Sequence, residues 1–182
     1  VESLLKSADM AMYKAKAAGK NALRFFDPSM QSEIEQRATV ERELRSALHS
    51  GQFVLYFQPQ VDASGKVFGA EALVRWHHPS RGLVGPDEFI RIAEESRLIL
   101  PIGQWVLAEA CRQLALWQKN PDTAHLTLAV NVSALQFRDS DFVNSVARAI
   151  AESGAPGSRL KLEITESLLV EDIGGTIEHM RP

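Results

Sequence analysis

The sequence predicts an α/β fold in which parallel βαβ units follow an antiparallel hairpin. Three observations carry this. Four β-type runs alternate with longer helical patterns through the second two-thirds of the chain. The first two of these runs are joined by Asp62-Ala63-Ser64-Gly65-Lys66, a tight turn that makes them a hairpin. The chain of 182 residues is 45% hydrophobic and 24% charged, enough for a real core in a globular protein.

The elements follow in order. Ser3 to Ala18 reads as a helix, with Leu4, Leu5, Ala8, Met12 and Ala15 at three-to-four spacing and Gly19 as a stop. Ala22 to Phe26 reads as a short strand, and Asp27-Pro28-Ser29 breaks the chain. Met30 to His49 reads as a helix with a sparse stripe of Ile34, Ala38, Leu44 and Leu48. Such a stripe suits a linker helix that lies on a neighbour or pairs with its own copy. Phe53–Val61 and Val67–Trp76 form the predicted hairpin. Pro86 opens a helix through about Glu95, and Pro101 opens a longer one through Lys119. Leu126–Asn131 reads as a strand, Asp141–Ser153 as a helix stopped by Gly154, and Leu160–Thr165 as a strand before a last helical stretch.

Bulk composition excludes several classes. A net charge of −3 gives no global attraction to nucleic acid or an anionic membrane, so local Arg, Lys or metal must hold any anionic substrate. One cysteine, Cys111, excludes an internal disulfide and a multi-cysteine zinc site. Its neighbours Ala110, Leu114 and Trp117 make it a buried structural thiol. No apolar run approaches the ~20 residues that span a bilayer. The first residues lack the layout of a secretory leader, and both ends look like cuts within a longer protein.

Strand alternation sorts the polar residues. In Leu126–Asn131 one face is Leu126, Leu128 and Val130; the other is Thr127, Ala129 and Asn131. In Leu160–Thr165 the second face carries Lys161, Glu163 and Thr165, and in the segment from Ala70 it carries Glu71, Leu73 and Arg75. With helices on one side only, that second face points into a barrel or cleft. Two carboxylates and an amide oxygen form a hard donor set, suited to magnesium, manganese or calcium. Periodicity alone favours Glu71 and Glu163 as solvated face residues and Asn131 as a turn former.

The words around these residues add a resemblance. Glu71-Ala72-Leu73-Val74-Arg75-Trp76, followed by His78-Pro79, resembles the signature of the EAL-family phosphodiesterases. Tyr56-Phe57-Gln58-Pro59 stands upstream of it. Downstream stand Pro86-Asp87-Glu88-Phe89-Ile90, Asn131-Val132-Ser133 with Gln136-Phe137, and Glu163-Ile164-Thr165-Glu166-Ser167. These cover roughly Leu44 to Pro182. The earlier segment Ala8-Asp9-Met10-Ala11-Met12-Tyr13-Lys14-Ala15-Lys16, then Gly19-Lys20-Asn21, resembles the closing helix and strand of a GGDEF domain. The organisation so implied is a GGDEF remnant at 1–27, a linker helix at 28–49 and the N-terminal half of an EAL domain at 50–182.

The resemblance implies an incomplete (βα)8 TIM-like barrel with an antiparallel first strand. About half of the barrel is present, preceded by a helix-strand remnant and the linker helix. It implies hydrolysis of cyclic di-GMP to pGpG with two magnesium or manganese ions. Glu71, Asn131 and Glu163 match metal ligands. Gln58, Leu73 and Arg75 match substrate contacts, with Arg75 facing phosphate, and Glu166 matches a carboxylate that steadies a loop. An Arg fork suits phosphate oxygens. The pattern gives His77 and His78 no ligand role, and no His–Asp pair is placed to make Ser133 a nucleophile. Lys14, Lys16 and Lys20 read as a solvated helix face.

The family's next element carries an Asp-Asp-Phe-Gly-Thr-Gly motif, followed by a Lys, a Glu and a Gln, none of which occurs before Pro182. The expectation is a parent enzyme of which these 182 residues alone are inactive. The alternative is a non-catalytic cyclic di-GMP receptor or partner-binding module. The expected partners are cyclic di-GMP and a second copy, through the EAL domain or the linker helix. No nucleic-acid polymer and no membrane segment is expected in this chain. The expected location is the cytoplasm, including the cytoplasmic part of a membrane-attached sensor.

Overall fold

A computed structural model describes residues 25–164 and, before them, Leu5, Ala8, Ala11, Met12, Ala15 and Leu23. The chain divides into two compact units, Val1–Glu43 and Leu44–Pro182.

In the first unit, Leu5, Ala8, Ala11, Met12 and Ala15 are helical, in line with the helix expected from their spacing. The strand expected over Ala22–Phe26 is absent at Leu23, Phe25 and Phe26, its described residues. A strand needs a ladder partner, and no described strand pairs with them. Helix α1, Pro28–His49, contributes to both units. It starts with Pro28 in its first turn, and Asp27 accepts the Ser29 N–H at 2.8 Å. Its buried stripe is Val40, Leu44 and Ala47, whereas Ala38 of the expected stripe is exposed.

The second unit holds one five-stranded sheet: β1 Phe53–Val61, β2 Val67–His78, β3 Gly82–Val84, β4 Thr127–Val132 and β5 Leu160–Ile164. The strand order is β1-β2-β4-β5, with β3 on β2. β1 and β2 are antiparallel, and the β2–β4 and β4–β5 pairs are parallel. The hairpin turn is closed by Asp62, whose Oδ1 accepts from the Ser64 hydroxyl at 2.5 Å, the Ser64 N–H at 2.8 Å and the Lys66 N–H at 3.1 Å. These bonds, led by the one from the Ser64 side chain, hold the Asp62 carboxyl below its usual pKa.

Between β2 and β4 lie a 3-10 turn at Pro86–Glu88, α2 Ile90–Glu95 and α3 Ile99–Gln118. The single helix expected over Pro86–Glu95 is therefore broken. Phe89 leaves helical geometry at φ −132° and buries its ring completely. α2 ends before Arg97, a left-handed residue at φ 62° that carries no glycine signal. α3 starts two residues before Pro101, which sits in the first turn, where no N–H donor is missed. Between β4 and β5 lie α4 Ala134–Phe137 and α5 Phe142–Ser153, the latter ended by left-handed Gly154. β3 and α4 are too short to show in hydrophobic periodicity.

α3 packs on β1, β4 and α5. The apolar strand faces lie beneath the helices: Phe53 of β1, Ala70, Ala72 and Trp76 of β2, and Leu128, Val130 and Val132 of β4 are all buried. Phe53 lies 5.9 Å from both Phe89 and Trp105 and 6.3 Å from Trp76, ring to ring. The buried Trp76 N–H donates to Gln52 Oε1 at 3.0 Å. The result is a partial sheet with its helices against one face, an incomplete TIM-like barrel with an antiparallel first strand. No helix among the described residues is long and apolar enough to cross a membrane.

Candidate metal and phosphate site

Register assembles the predicted site. Across the hairpin, Gln58 stands opposite Glu71, Tyr56 opposite Leu73 and Val54 opposite Arg75. In the parallel ladders Glu71 pairs with Ala129, and Asn131 pairs with Glu163. Paired residues share a face, and alternate residues return to it. Gln58, Glu71, Leu73, Arg75, Asn131 and Glu163 therefore lie on the single sheet face that the buried alanines, leucine and valines leave open. Gln58, Asn131 and Glu163 are exposed there, and Glu71, Leu73 and Arg75 are half-buried. Glu166 lies outside the described residues.

Asn131 and Glu71 touch. The Asn131 side-chain N–H donates to Glu71 Oε1 at 2.5 Å, across 60 positions of sequence. A charge-assisted bond of this kind fixes both rotamers and turns the amide nitrogen toward the carboxylate. Asn131 and Glu71 still offer a carbonyl oxygen and a second carboxylate oxygen. Glu163 joins them by ladder register. Among the described residues no three His, Cys, Asp or Glu side chains gather as a metal cluster. The two carboxylates and the amide oxygen fit a hard divalent cation, as one side of a coordination shell.

Arg75 is aimed by two neighbours. Its Nη1 donates to the Val74 carbonyl at 2.9 Å, and its guanidinium carbon stands 5.8 Å from the centre of the Tyr56 ring. Tyr56, first residue of the Tyr56–Pro59 motif, is thus a site-facing aromatic to which the motif gave no role; its pairing with Leu73 is what reveals it. A cavity of about 550 Å³ opens beside these groups, its walls including Leu73, Arg75, Asp87, Ile102, Asn131 and Gln136. Asp87 and Ile102 reach it from separate elements, so no local spacing could have announced it.

His78, Ser133 and Cys111 are held within the fold. His78 is buried, and its Nδ1 accepts from the Ser80 and Arg81 N–H groups, each at 3.2 Å. His77 is exposed. Ser133 is committed to a capping box with Gln136. Cys111 is a free, buried thiol whose pKa is pushed up by burial.

The EAL domain family model matches residues 41–181. The chain is 43% identical over 175 residues to the bifunctional diguanylate cyclase/cyclic di-GMP phosphodiesterase MucR of Pseudomonas aeruginosa, covering 96% of this chain and 25% of that protein. It is 37% identical over 170 residues to the cyclic di-GMP phosphodiesterase PdeR of Escherichia coli, covering 93% and 25%. It thus spans about a quarter of the length of these relatives. Among solved structures, the cyclic di-GMP complex of the MucR phosphodiesterase superposes with a TM-score of 0.75 at 43% identity, over 78% of this chain and 57% of that one. The EAL domain of FimX from Xanthomonas citri, in complex with the same dinucleotide, superposes at 0.71 with 27% identity, over 82% and 58%. The open face carrying Glu71, Asn131 and Glu163 is that of a chain belonging to the EAL domain family.

Proposed function

We propose that this chain is part of an enzyme that hydrolyses cyclic di-GMP to pGpG with two magnesium or manganese ions. The observation that carries the proposal is the juxtaposition of Glu71, Asn131 and Glu163 on one open face, with Asn131 bonded to Glu71. These three would hold a hard divalent ion, which neutralises charge on the phosphate and acidifies a water. Arg75, already oriented by Val74 and Tyr56, presents its fork to a phosphate oxygen pair. Gln58 binds beside Glu71, and Leu73 leads into a cavity with apolar walls for a base and a carboxylate, Asp87, for base N–H donors. Glu166 would steady a loop of the complete domain.

The Asp-Asp-Phe-Gly-Thr-Gly motif that the family resemblance implies is not among these 182 residues, so we propose that the chain alone binds metal without turning over substrate. Calorimetric titration of manganese into the chain tests the half-site. Glu71→Gln, Glu163→Ala and Asn131→Ala should each weaken binding by about tenfold or more. Unchanged affinity in all three would remove the metal assignment. Release of pGpG by the wild-type chain with magnesium would overturn its inactivity.

A non-catalytic receptor is the second reading. Its support is the likeness to the EAL domain of FimX from Xanthomonas citri, solved in complex with cyclic di-GMP. A full-length protein that binds cyclic di-GMP without hydrolysing it would select the receptor.

Residues 1–27 are read as the tail of a GGDEF domain. The bifunctional name of MucR supports this, since that match covers 96% of the chain whereas the EAL match begins at residue 41. Residues 28–49 are the linker, and 50–182 the first half of the EAL barrel. A cytoplasmic location and self-association through the EAL domain or linker helix complete the proposal.

A further inference from the structure

Gln136 is only 6% exposed, and nothing in the proposed chemistry uses it. Its Oε1 accepts from the Ser133 N–H at 3.2 Å and from the Ser133 hydroxyl at 3.0 Å. In return, Ser133 Oγ accepts the Gln136 backbone N–H at 3.3 Å. The rest of the amide lies on Gly103 of α3. A Cβ at Gly103 would fall 1.8 Å from Gln136 Nε2 and 2.4 Å from its Cδ. Gly103 lies inside a helix, where glycine weakens the element relative to alanine. Its backbone has no positive φ to require glycine, so the close approach of Gln136 is what does.

The box closes two residues after Asn131. Between Asn131 and Ser133 stands only Val132, the last residue of β4, which is 1% exposed. The strand end therefore has little freedom once Ser133 is fixed from beyond. We infer that Gln136, seated on Gly103, is a positioning residue: its capping box fixes the end of β4 and holds the Asn131 amide on Glu71. The importance of this for metal binding rests on the function proposed above.

Proton–nitrogen NMR of the whole 182-residue chain tests the inference. The side-chain NH2 pair of Asn131 is identified by its loss in Asn131→Ala. Its position without a carboxylate partner is given by Glu71→Ala. Gln136→Ala should move the pair to that unpartnered position. Gln136→Glu, which keeps an acceptor oxygen for the box, should leave it in place. Gly103→Ala should move the pair as Gln136→Ala does, and adding it to Gln136→Ala should produce no further shift, because the space is already vacated. If either substitution prevents folding, Ser133→Ala opens the box at a half-buried position and should shift the pair in the same direction. An Asn131 pair that stays in place in Gln136→Ala or, failing that, in Ser133→Ala overturns the inference, as does one displaced equally by Gln136→Glu. Manganese added to the wild type judges the metal reading separately. If it fails to broaden the Asn131 pair, that reading falls, while the shifts still decide the role of Gln136.

Discussion

Single side chains in this protein owe their behaviour to where the fold puts them. Cys111 is fully buried, and burial raises its thiol pKa by disfavouring the thiolate. Ellman's reagent should therefore leave the native thiol unmodified at neutral pH and titrate one thiol after denaturation; fast labelling of the folded chain would contradict the packing around α3. Cys111 could be read in advance because its apolar neighbours surround it in sequence. The bond from Asn131 to Glu71 could not, since 60 positions separate them and only the β2–β4 register brings them together. Parity placed both residues on polar faces. Parity does not say which polar faces coincide, and the surrounding motifs supplied that expectation. Tyr56 shows the opposite case: an aromatic on the site face whose contact with Arg75 depends on a cross-strand pair.

Elements were legible where local chemistry dictates them. The β1–β2 hairpin follows from alternation and from the Asp62–Lys66 turn, whose aspartate makes three hydrogen bonds to the turn. The Asp62 carboxyl titrates lower in the folded chain than in the unfolded one. Its contribution is therefore complete above the usual aspartate value of ~4 and disappears as pH falls through the lower folded value. Carbon NMR titration of Asp62 should show the depressed midpoint. Asp62→Asn should remove the part of the acid sensitivity that comes from the turn; equal acid sensitivity in both proteins would contradict it. Long-range packing decided the elements that differ. Phe89 breaks the Pro86–Glu95 helix because its ring belongs to the cluster of Phe53 and Trp76. The expected Ala22–Phe26 strand had strand-forming residues and no described partner.

At the largest scale, the sheet of the described strands is open. Among the described strands, β1 and β5 each pair on one side only. β5 also exposes Leu162, which is 36% accessible, and an unpaired edge with apolar side chains invites pairing with another chain. Sedimentation velocity should show the 182-residue chain associating as its concentration rises, and Leu162→Lys should shift it toward monomer; concentration-independent monomer for the wild type would contradict this.

The alternation of β2 has a consequence for how such a protein can change over generations. Ala70, Ala72 and Trp76 build the interior, while Glu71, Leu73 and Arg75, interleaved one by one, face the open side. Inserting or deleting one residue within Ala70–Trp76 would exchange the two sets, burying two charges and exposing the tryptophan. Length variation in this stretch thus disturbs the interior and the open face together, whereas the exposed Asp62–Lys66 turn can grow at little cost. Within Ala70–Trp76, the open face is altered without disturbing the interior by substitution at Glu71, Leu73 or Arg75, one side chain at a time.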